Sequence, residues 1–543
     1  MTSWSSRGRY VNSLGFTVVA LSCAALMSLR VSSADEGDDS ASFRTVPKAT
    51  CGAQDHPETA LQGQVLAALR AAGFHGFNCN LQLIGQAKGD GANWQSAEFR
   101  DEERVCAYHG TSFSTVNRTQ LGVPVADVTN PHNPIVTGYL TTTSMLDPWE
   151  SLKVNDRRQL LGADNGHNGG GGPEVDIYDI SGDCRYPQLL ATAAVGSADG
   201  STGLPHSVIG HEGAWAPDGL TYYGGDLRTK YTIAGTTTTA SGQYYAVDTT
   251  DPTHPSLITF WTTNIAGANV HGMSISDDGK RGYFVSLGGT DPTALTDPTK
   301  PATDGLLIYD LSEIQARKPN PQVHLISQLL WKDGAGAQHT IPVKINGKPY
   351  VIFVDEAGSG GFSSPTQEQA ACAAAMPPFP MARIIDINDE THPRIVSRLA
   401  LEIHNPANCA SVLPDLVGLS GFTYGSHYCS VDNKHHATTL ACGYFNSGIR
   451  VFDIREPRHP KELAYYNPAG ETAPSPGSNH QGANFVAGGP DWCSAQTHLH
   501  ISENHGRAAT LWTTCQDHGL LMLKFENGVW PFADSSTPPG QQN

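Results

Sequence analysis

A short unit that returns seven times restricts this chain more than any other feature. Each copy is a β-rich run, an Asp, another apolar residue and a polar turn that often holds Pro. The copies read Val125-Ala126-Asp127-Val128, Ile177-Tyr178-Asp179-Ile180, Ala246-Val247-Asp248-Thr249, Ile308-Tyr309-Asp310-Leu311, Ile384-Ile385-Asp386-Ile387 and Val451-Phe452-Asp453-Ile454. In the seventh, Met522-Leu523-Lys524-Phe525, Lys takes the Asp position. The key positions are 52, 69, 62, 76, 67 and 71 residues apart. Units of several short strands cannot bury their faces singly, and stacked around an axis they form propeller blades. The spacing predicts an all-β chain with a seven-bladed β-propeller over about Asn93 to Phe532. The repeated Asp precedes a turn in each copy, so its expected role is to cap that turn.

Composition agrees. Of 543 residues, 39% are hydrophobic and only 16% charged, with 57 Gly and 35 Pro, which favours short strands and many turns over helical bundles. Thirty-four basic against 52 acidic residues leave a net charge of −18. Such a chain has no electrostatic attraction for nucleic acid or anionic lipid. Residues 1–34 read as a cleaved signal peptide: Arg7 and Arg9, an apolar run from Leu14 to Leu29, then small residues ending at Ala34. A lipid anchor at Cys23 is the alternative, although Ala20-Leu21-Ser22 is a poor lipobox. No other run is long and apolar enough to span a bilayer. The expected location is extracellular or in the cell envelope. Cleavage leaves ten cysteines with no Cys-x-x-Cys pair, which predicts up to five disulfides rather than thiolate metal sites. Cys51–Cys79 and Cys493–Cys515 are the local pairings expected, and the connectivity is otherwise open.

The repeat motif resembles the LVIVD-repeat family of secreted bacterial β-propellers. The resemblance covers most of the chain after Asn93 and implies the fold, not an activity. Residues 35–92 read as an N-terminal extension packed on the propeller, with a helix suggested over Pro57 to Ala72 by Leu61, Val65, Leu66 and Leu69. Residues 533–543 read as a disordered tail.

Candidate chemistry comes from histidines in one blade position. His271 lies seven residues before Asp278, which precedes Gly279, His211 seven before Asp218, and His339 seven before Asn346. His480 takes the same register, seven before Ala487-Gly488, and His427, seven before Lys434, fits more loosely because no glycine turn follows, while Trp94 and Pro148 hold the slot in the first two blades. Equivalent positions of successive blades lie on a ring, so His211, His271, His339, His427 and His480 would point at one axis and bind a transition metal. The loops after each blade's second strand return to the same mouth. They carry Asp164, Asp226, Asp355, Glu356, Glu503 and His505, expected to orient the imidazoles or move protons. For each of these acidic residues, ordinary turn chemistry is the competing reading.

No Gly-x-Ser-x-Gly elbow, Walker loop, His-Glu-x-x-His helix or EF-hand loop occurs. The histidine ring is similar, at the level of fold, to the selenium-binding protein/methanethiol oxidase propellers, which place histidines from several blades around copper. That similarity implies a copper-dependent oxidase of a small substrate, with zinc or iron as other metals and metal-assisted hydrolysis as the second chemistry. The alternative is a monomeric, non-enzymatic propeller that binds a protein or glycan partner at the cell surface, with Ca²⁺ held in its Asp-rich loops.

Overall fold

The computed structural model describes residues 43–112, 118–166, 175–193, 210–233, 236–362, 364–502 and 508–532. Their strands form seven antiparallel sheets arranged as the blades of a β-propeller. The first strands of the blades are Ser96–Arg100, Lys153–Asn155, Glu212–Trp215, Met273–Ile275, Ala335–Ile345, Ser426–Val431 and His498–Ser502. Successive first strands touch, so they line the central channel. Every copy of the Asp motif ends the third strand of its blade.

The repeated Asp caps its turn. In all six Asp copies the carboxylate accepts the backbone N–H two residues on, from Thr129, Ser181, Thr250, Ser312, Asn388 and Arg455, at 2.8–3.0 Å. In the seventh copy Lys524 instead pairs with Glu526 at 3.0 Å. A second repeated device is visible only in the strand pairing. Opposite the motif, each fourth strand carries one extra residue: Val125 faces Gly138 but Ala126 faces Val136, and Ile308 faces Ser327 but Tyr309 faces Leu325. The other five blades slip in the same way. Such bulges strengthen the local twist that each blade needs to fan out from the axis.

The ring closes through its N-terminal segment. Leu81–Ala87 pairs with Gly519–Phe525 and is the outer strand of the seventh blade. Phe77–Cys79 adds a fifth strand to the sixth blade by pairing with Lys461–Asn467. Residues 77–87, which the sequence reading places in an extension outside the propeller, are therefore strands of it. They lack the Asp motif that marks the other blades. The helix suggested over Pro57 to Ala72 is confined to Ala67–Ala72. Gly63, at φ +91°, takes a left-handed conformation that interrupts any earlier helical turn. The segment is held instead by ion pairs, with Glu58 and Glu462 both on the buried Arg450.

Five disulfides join all ten cysteines of the described residues: Cys51–Cys79, Cys106–Cys184, Cys372–Cys409, Cys429–Cys442 and Cys493–Cys515. Both local pairings expected from the sequence occur. Cys106–Cys184 links the first blade to the connection leaving the second blade's third strand. Five bridges fit an oxidising compartment. Among the described residues no helix is long and apolar enough to cross a membrane. The proposed signal segment and tail lie outside the described residues.

Candidate metal centre in the propeller channel

The first strands bring three of the five histidines together at one end of the channel. His211 directly precedes its blade's first strand, His271 lies two residues before its own, and His427 is the second residue of its strand. All three meet the carboxylate of Glu150. Glu150 Oε2 lies 3.0 Å from His211 Nε2 and 3.1 Å from His271 Nε2, and Oε1 lies 3.0 Å from His427 Nε2. Glu356 approaches from behind, 3.3 Å from His427 Nε2 and 4.0 Å from His271 Nδ1. Backbone pairing sets this arrangement, because the Glu150 N–H donates to the His211 carbonyl at 2.9 Å.

The ring orientations are fixed from outside. His271 Nδ1 lies 2.9 Å from the Ala337 carbonyl and His427 Nδ1 lies 2.9 Å from the Ser494 carbonyl. Carbonyls only accept, so both Nδ1 atoms carry protons and both Nε2 atoms face the carboxylates. His211 poses the sharper problem. The Trp149 indole, which can only donate, reaches His211 Nε2 at 3.0 Å, a contact that needs a lone pair there. The same nitrogen lies 3.0 Å from Glu150 Oε2. With a single position to offer, that nitrogen either carries a proton and donates to Glu150, or presents its lone pair to Trp149 or to a cation. Glu150, His211 and His271 bring their ligand atoms within 4.8 Å of one another, as do Glu150, Glu356 and His427, and a mixed imidazole and carboxylate set of this kind fits a divalent transition metal.

The surroundings are apolar. Trp94, Phe422, Phe445 and Trp492 cluster above the centre with Trp149, and Trp94 and Phe445 stand 5.3 and 5.2 Å from the His427 ring. Glu150, His271 and His427 are almost fully buried, whereas the His211 side chain is 15% exposed and marks the open side. Burial alone would push the Glu150 carboxyl up, but the His211 charge and hydrogen bonds from His211, His271 and His427 hold it well below the usual carboxylate range. Burial also opposes charge on the histidines. Hydrogen bonds and charges from Glu150 and Glu356 overcome it at His271 and His427, pushed up to about 9 and about 10, whereas burial wins at His211 and lowers it.

The other two histidines are elsewhere. The first strand of the fifth blade slips one residue between Ala337 and His339, so Gln338 turns toward His427 Nε2, at 3.0 Å, and His339 turns away. His480 lies far before its blade's first strand, which begins at His498, because Gly488 turns within the incoming loop and not at a hairpin. Its Nδ1 meets Asp517 at 2.9 Å and its ring stacks on Trp492. Among the loop carboxylates of the described residues only Glu356 joins the centre. Asp164 accepts the Tyr245 hydroxyl at 2.7 Å, and Asp355 pairs with the buried Arg383 at 2.7 Å. The Asp226 side chain, Glu503 and His505 lie outside the described residues, the last two between the first and second strands of the seventh blade.

Sequence reasoning missed Glu150 and placed Pro148 in its slot. Glu150 stands seven residues before Arg157, the same offset as His211 from Asp218. The hairpin there has no glycine to mark it, because Gln159 takes the positive φ, +53°.

Below the centre lies a second layer. Lys153 Nζ pairs with Glu212 Oε1 at 2.7 Å, and the Tyr428 hydroxyl donates to Glu212 Oε2. Lys153 sits 5.3 Å over the Tyr428 ring, and His339 stacks on that ring at 4.6 Å. Burial pushes Glu212 up to about 7. These residues form the inner end of a 710 Å³ cavity that runs down the channel to the hairpins at Asp156, Asp277 and Lys434.

No family model and no curated protein matches this chain. Among solved structures, the periplasmic gluconolactonase PpgL of Pseudomonas aeruginosa is 12% identical, with a TM-score of 0.43 over 76% of this chain and 93% of its own. The β-propeller domain of Cps50 (Swd1) from Myceliophteria thermophila is 9% identical, with a TM-score of 0.43 over 82% of this chain and 98% of its own. A putative 6-phosphogluconolactonase from Bacteroides fragilis is 12% identical, with a TM-score of 0.42 over 77% and 93%.

Proposed function

We propose that this is an exported metal-binding propeller in which Nε2 of His211 and His271 and the Glu150 carboxylate hold one divalent first-row metal ion for chemistry on a small substrate, with His427 on the other Glu150 oxygen. The observation that carries this reading is the group of Glu150, His211 and His271, whose ligand atoms lie within 4.8 Å of one another beside an aromatic cap. The set contains imidazole and carboxylate but no thiolate or thioether, which suits copper(II), iron(II) or zinc. Copper or iron would supply one-electron oxidation chemistry with dioxygen as oxidant, and zinc would supply a polarised water. The chain's own part is to orient the ligands through Ala337 and Ser494, to exclude water with the tryptophan cap, and to admit substrate past His211. Glu356, at 3.3 Å from His427, is placed to hold a proton at the centre's edge.

The second reading is a non-enzymatic binding propeller. It is favoured by the raised affinity of His271 and His427 for protons, since two imidazoliums on Glu150 and Glu356 would hold the ring together without an ion. Elemental analysis separates the two. The mature, untagged protein should carry about one equivalent of copper, iron or zinc, lost in His271→Ala/His427→Ala and in the milder Glu150→Gln. No stoichiometric metal after reconstitution of folded protein leaves the binding reading.

A further inference from the structure

His480, which does not reach the channel centre, meets two buried carboxylates instead. His480 and Asp491 lie in the connection from Lys461–Asn467 to His498–Ser502, and Asp517 lies in the turn between the second and third strands of the seventh blade. His480 Nδ1 is 2.9 Å from Asp517 Oδ2 and 3.8 Å from Asp491 Oδ1, and the ligand atoms of the three residues all lie within 4.8 Å of one another. All three side chains are buried. The Cys493–Cys515 disulfide joins the same two segments, two residues from Asp491 and two from Asp517, so covalent bonds set how far apart the carboxylates stand. The His480 backbone is fixed as well, its N–H donating to Gln516 Oε1 at 2.9 Å.

Charge sets this cluster apart. Several buried carboxylates elsewhere face a guanidinium or an ammonium: Glu462 has Arg450, Asp355 has Arg383 and Glu212 has Lys153. Among the described residues, Asp491 and Asp517 form ion pairs with imidazoles only: His480 and, on Asp491 Oδ2 at 2.8 Å, His518. Glu150 at the channel centre shows the same pattern. Burial, with the Asp491 charge beside it, raises the Asp517 carboxyl. Asp491 Oδ1 accepts one backbone N–H, from Asp517 at 3.0 Å, and keeps a second lone pair. Neighbouring ligands about 2.1–2.4 Å from an octahedral ion stand roughly 3.0–3.4 Å apart, which falls between the two separations from His480 Nδ1.

We propose that His480 Nδ1 and the carboxylates of Asp491 and Asp517 hold a second divalent ion, manganese(II), at a site separate from the channel centre. Two carboxylates with one imidazole suit a harder ion than the two imidazoles and one carboxylate at Glu150. His518 orients Asp491 from outside the set. The ion ties the connection entering the seventh blade to that blade's own turn. It also steadies Trp492, the neighbour of Asp491, whose ring stacks on His480 at 4.6 Å and belongs to the aromatic cap. The site shares no ligand with the channel centre and does not rest on metal being there.

Titration of the mature, untagged full chain with manganese(II), read by elemental analysis and by the electron paramagnetic resonance signal of the free ion, tests this. Wild type and Glu150→Gln should each bind about one equivalent with a Kd below roughly 0.1 mM. Asp517→Asn should weaken binding by roughly tenfold or more, and His480→Gln should weaken it too, while the copper, iron or zinc content of the channel stays as in wild type. Manganese should raise the melting temperature of wild type and leave that of Asp517→Asn unchanged. Where Asp517→Asn fails to fold, His480→Gln carries the test. Folded wild type that binds no manganese up to about 1 mM overturns the proposal and leaves His480 as a hydrogen-bonded partner of Asp517. Binding unchanged in folded Asp517→Asn and His480→Gln overturns it as well. Manganese lost in Glu150→Gln but kept in Asp517→Asn would place the ion in the channel and likewise overturn it. The channel ion is counted as a different element, so failure of either site leaves the other result standing.

Discussion

At Glu150 one carboxylate faces three imidazole nitrogens inside a cap of aromatic rings. Neutralising it should therefore do two things. Glu150→Gln should drop metal content from about one equivalent to a small fraction, and it should destabilise the fold by about 3–5 kcal/mol, the usual cost of stripping one partner from a buried ionic cluster. Metal analysis and thermal unfolding read the two effects. Another buried carboxyl, outside the ligand set, gives a separate pH test. Burial raises Glu368 from 4.5 to about 8, and Thr423 is its hydrogen-bond partner. A raised carboxyl stabilises the fold only while it is protonated, so the contribution is full below pH 4.5 and is lost as pH rises through 8. Glu368→Gln should match wild type near pH 5. Above that it should gain on wild type by up to about 1.4 kcal/mol per pH unit until the folded pKa is passed. A variant less stable than wild type at pH 9 would contradict this account.

At the scale of elements, two features hold the ring. One is the outer strand Leu81–Ala87, which closes the seventh blade from the other end of the chain. A chain starting at residue 92 leaves Gly519–Phe525 with an open edge. It should lose the cooperative unfolding transition and become sensitive to limited proteolysis. The other is the set of disulfides. In the chain-entropy description, a bridge is worth more the longer the loop it closes. Cys106–Cys184 spans 78 residues and Cys429–Cys442 spans 13. Replacing the first pair by Ser should cost about 4 kcal/mol and the second about 3 kcal/mol, measured by denaturant unfolding. The third strands and their capping turns were legible because the Asp motif is local: the carboxylate reaches an N–H only two residues on. The strands at 77–87 were not, because their partners are about 390 to 440 residues away in the chain and they carry no local mark.

For the whole molecule, the metal and the fold should be linked. A ligand that binds only the folded state stabilises it by about 2.7 kcal/mol at a hundredfold excess over its Kd. Thermal scans of the mature protein should accordingly shift upward with the correct metal and downward after chelation, and the shift should vanish in Glu150→Gln. A melting temperature indifferent to metal in the wild type would favour the imidazolium hub.

What the residues alone determine is periodic or local: seven blades, capped turns, an even set of cysteines, and a histidine slot at the start of the first strand. Each follows from contacts within a few residues or from the need of a repeat to stack. Which histidines meet is decided in three dimensions. His211, His271 and His427 converge, while His339 is turned away by one bulged residue and His480 by a loop that delays its strand. A bulge changes which side of a strand faces the axis, yet it leaves no trace in the spacing of apolar residues. Glu150 joins the histidines for the same reason: strand pairing across two blades, rather than anything near it in the chain, sets its carboxylate among them.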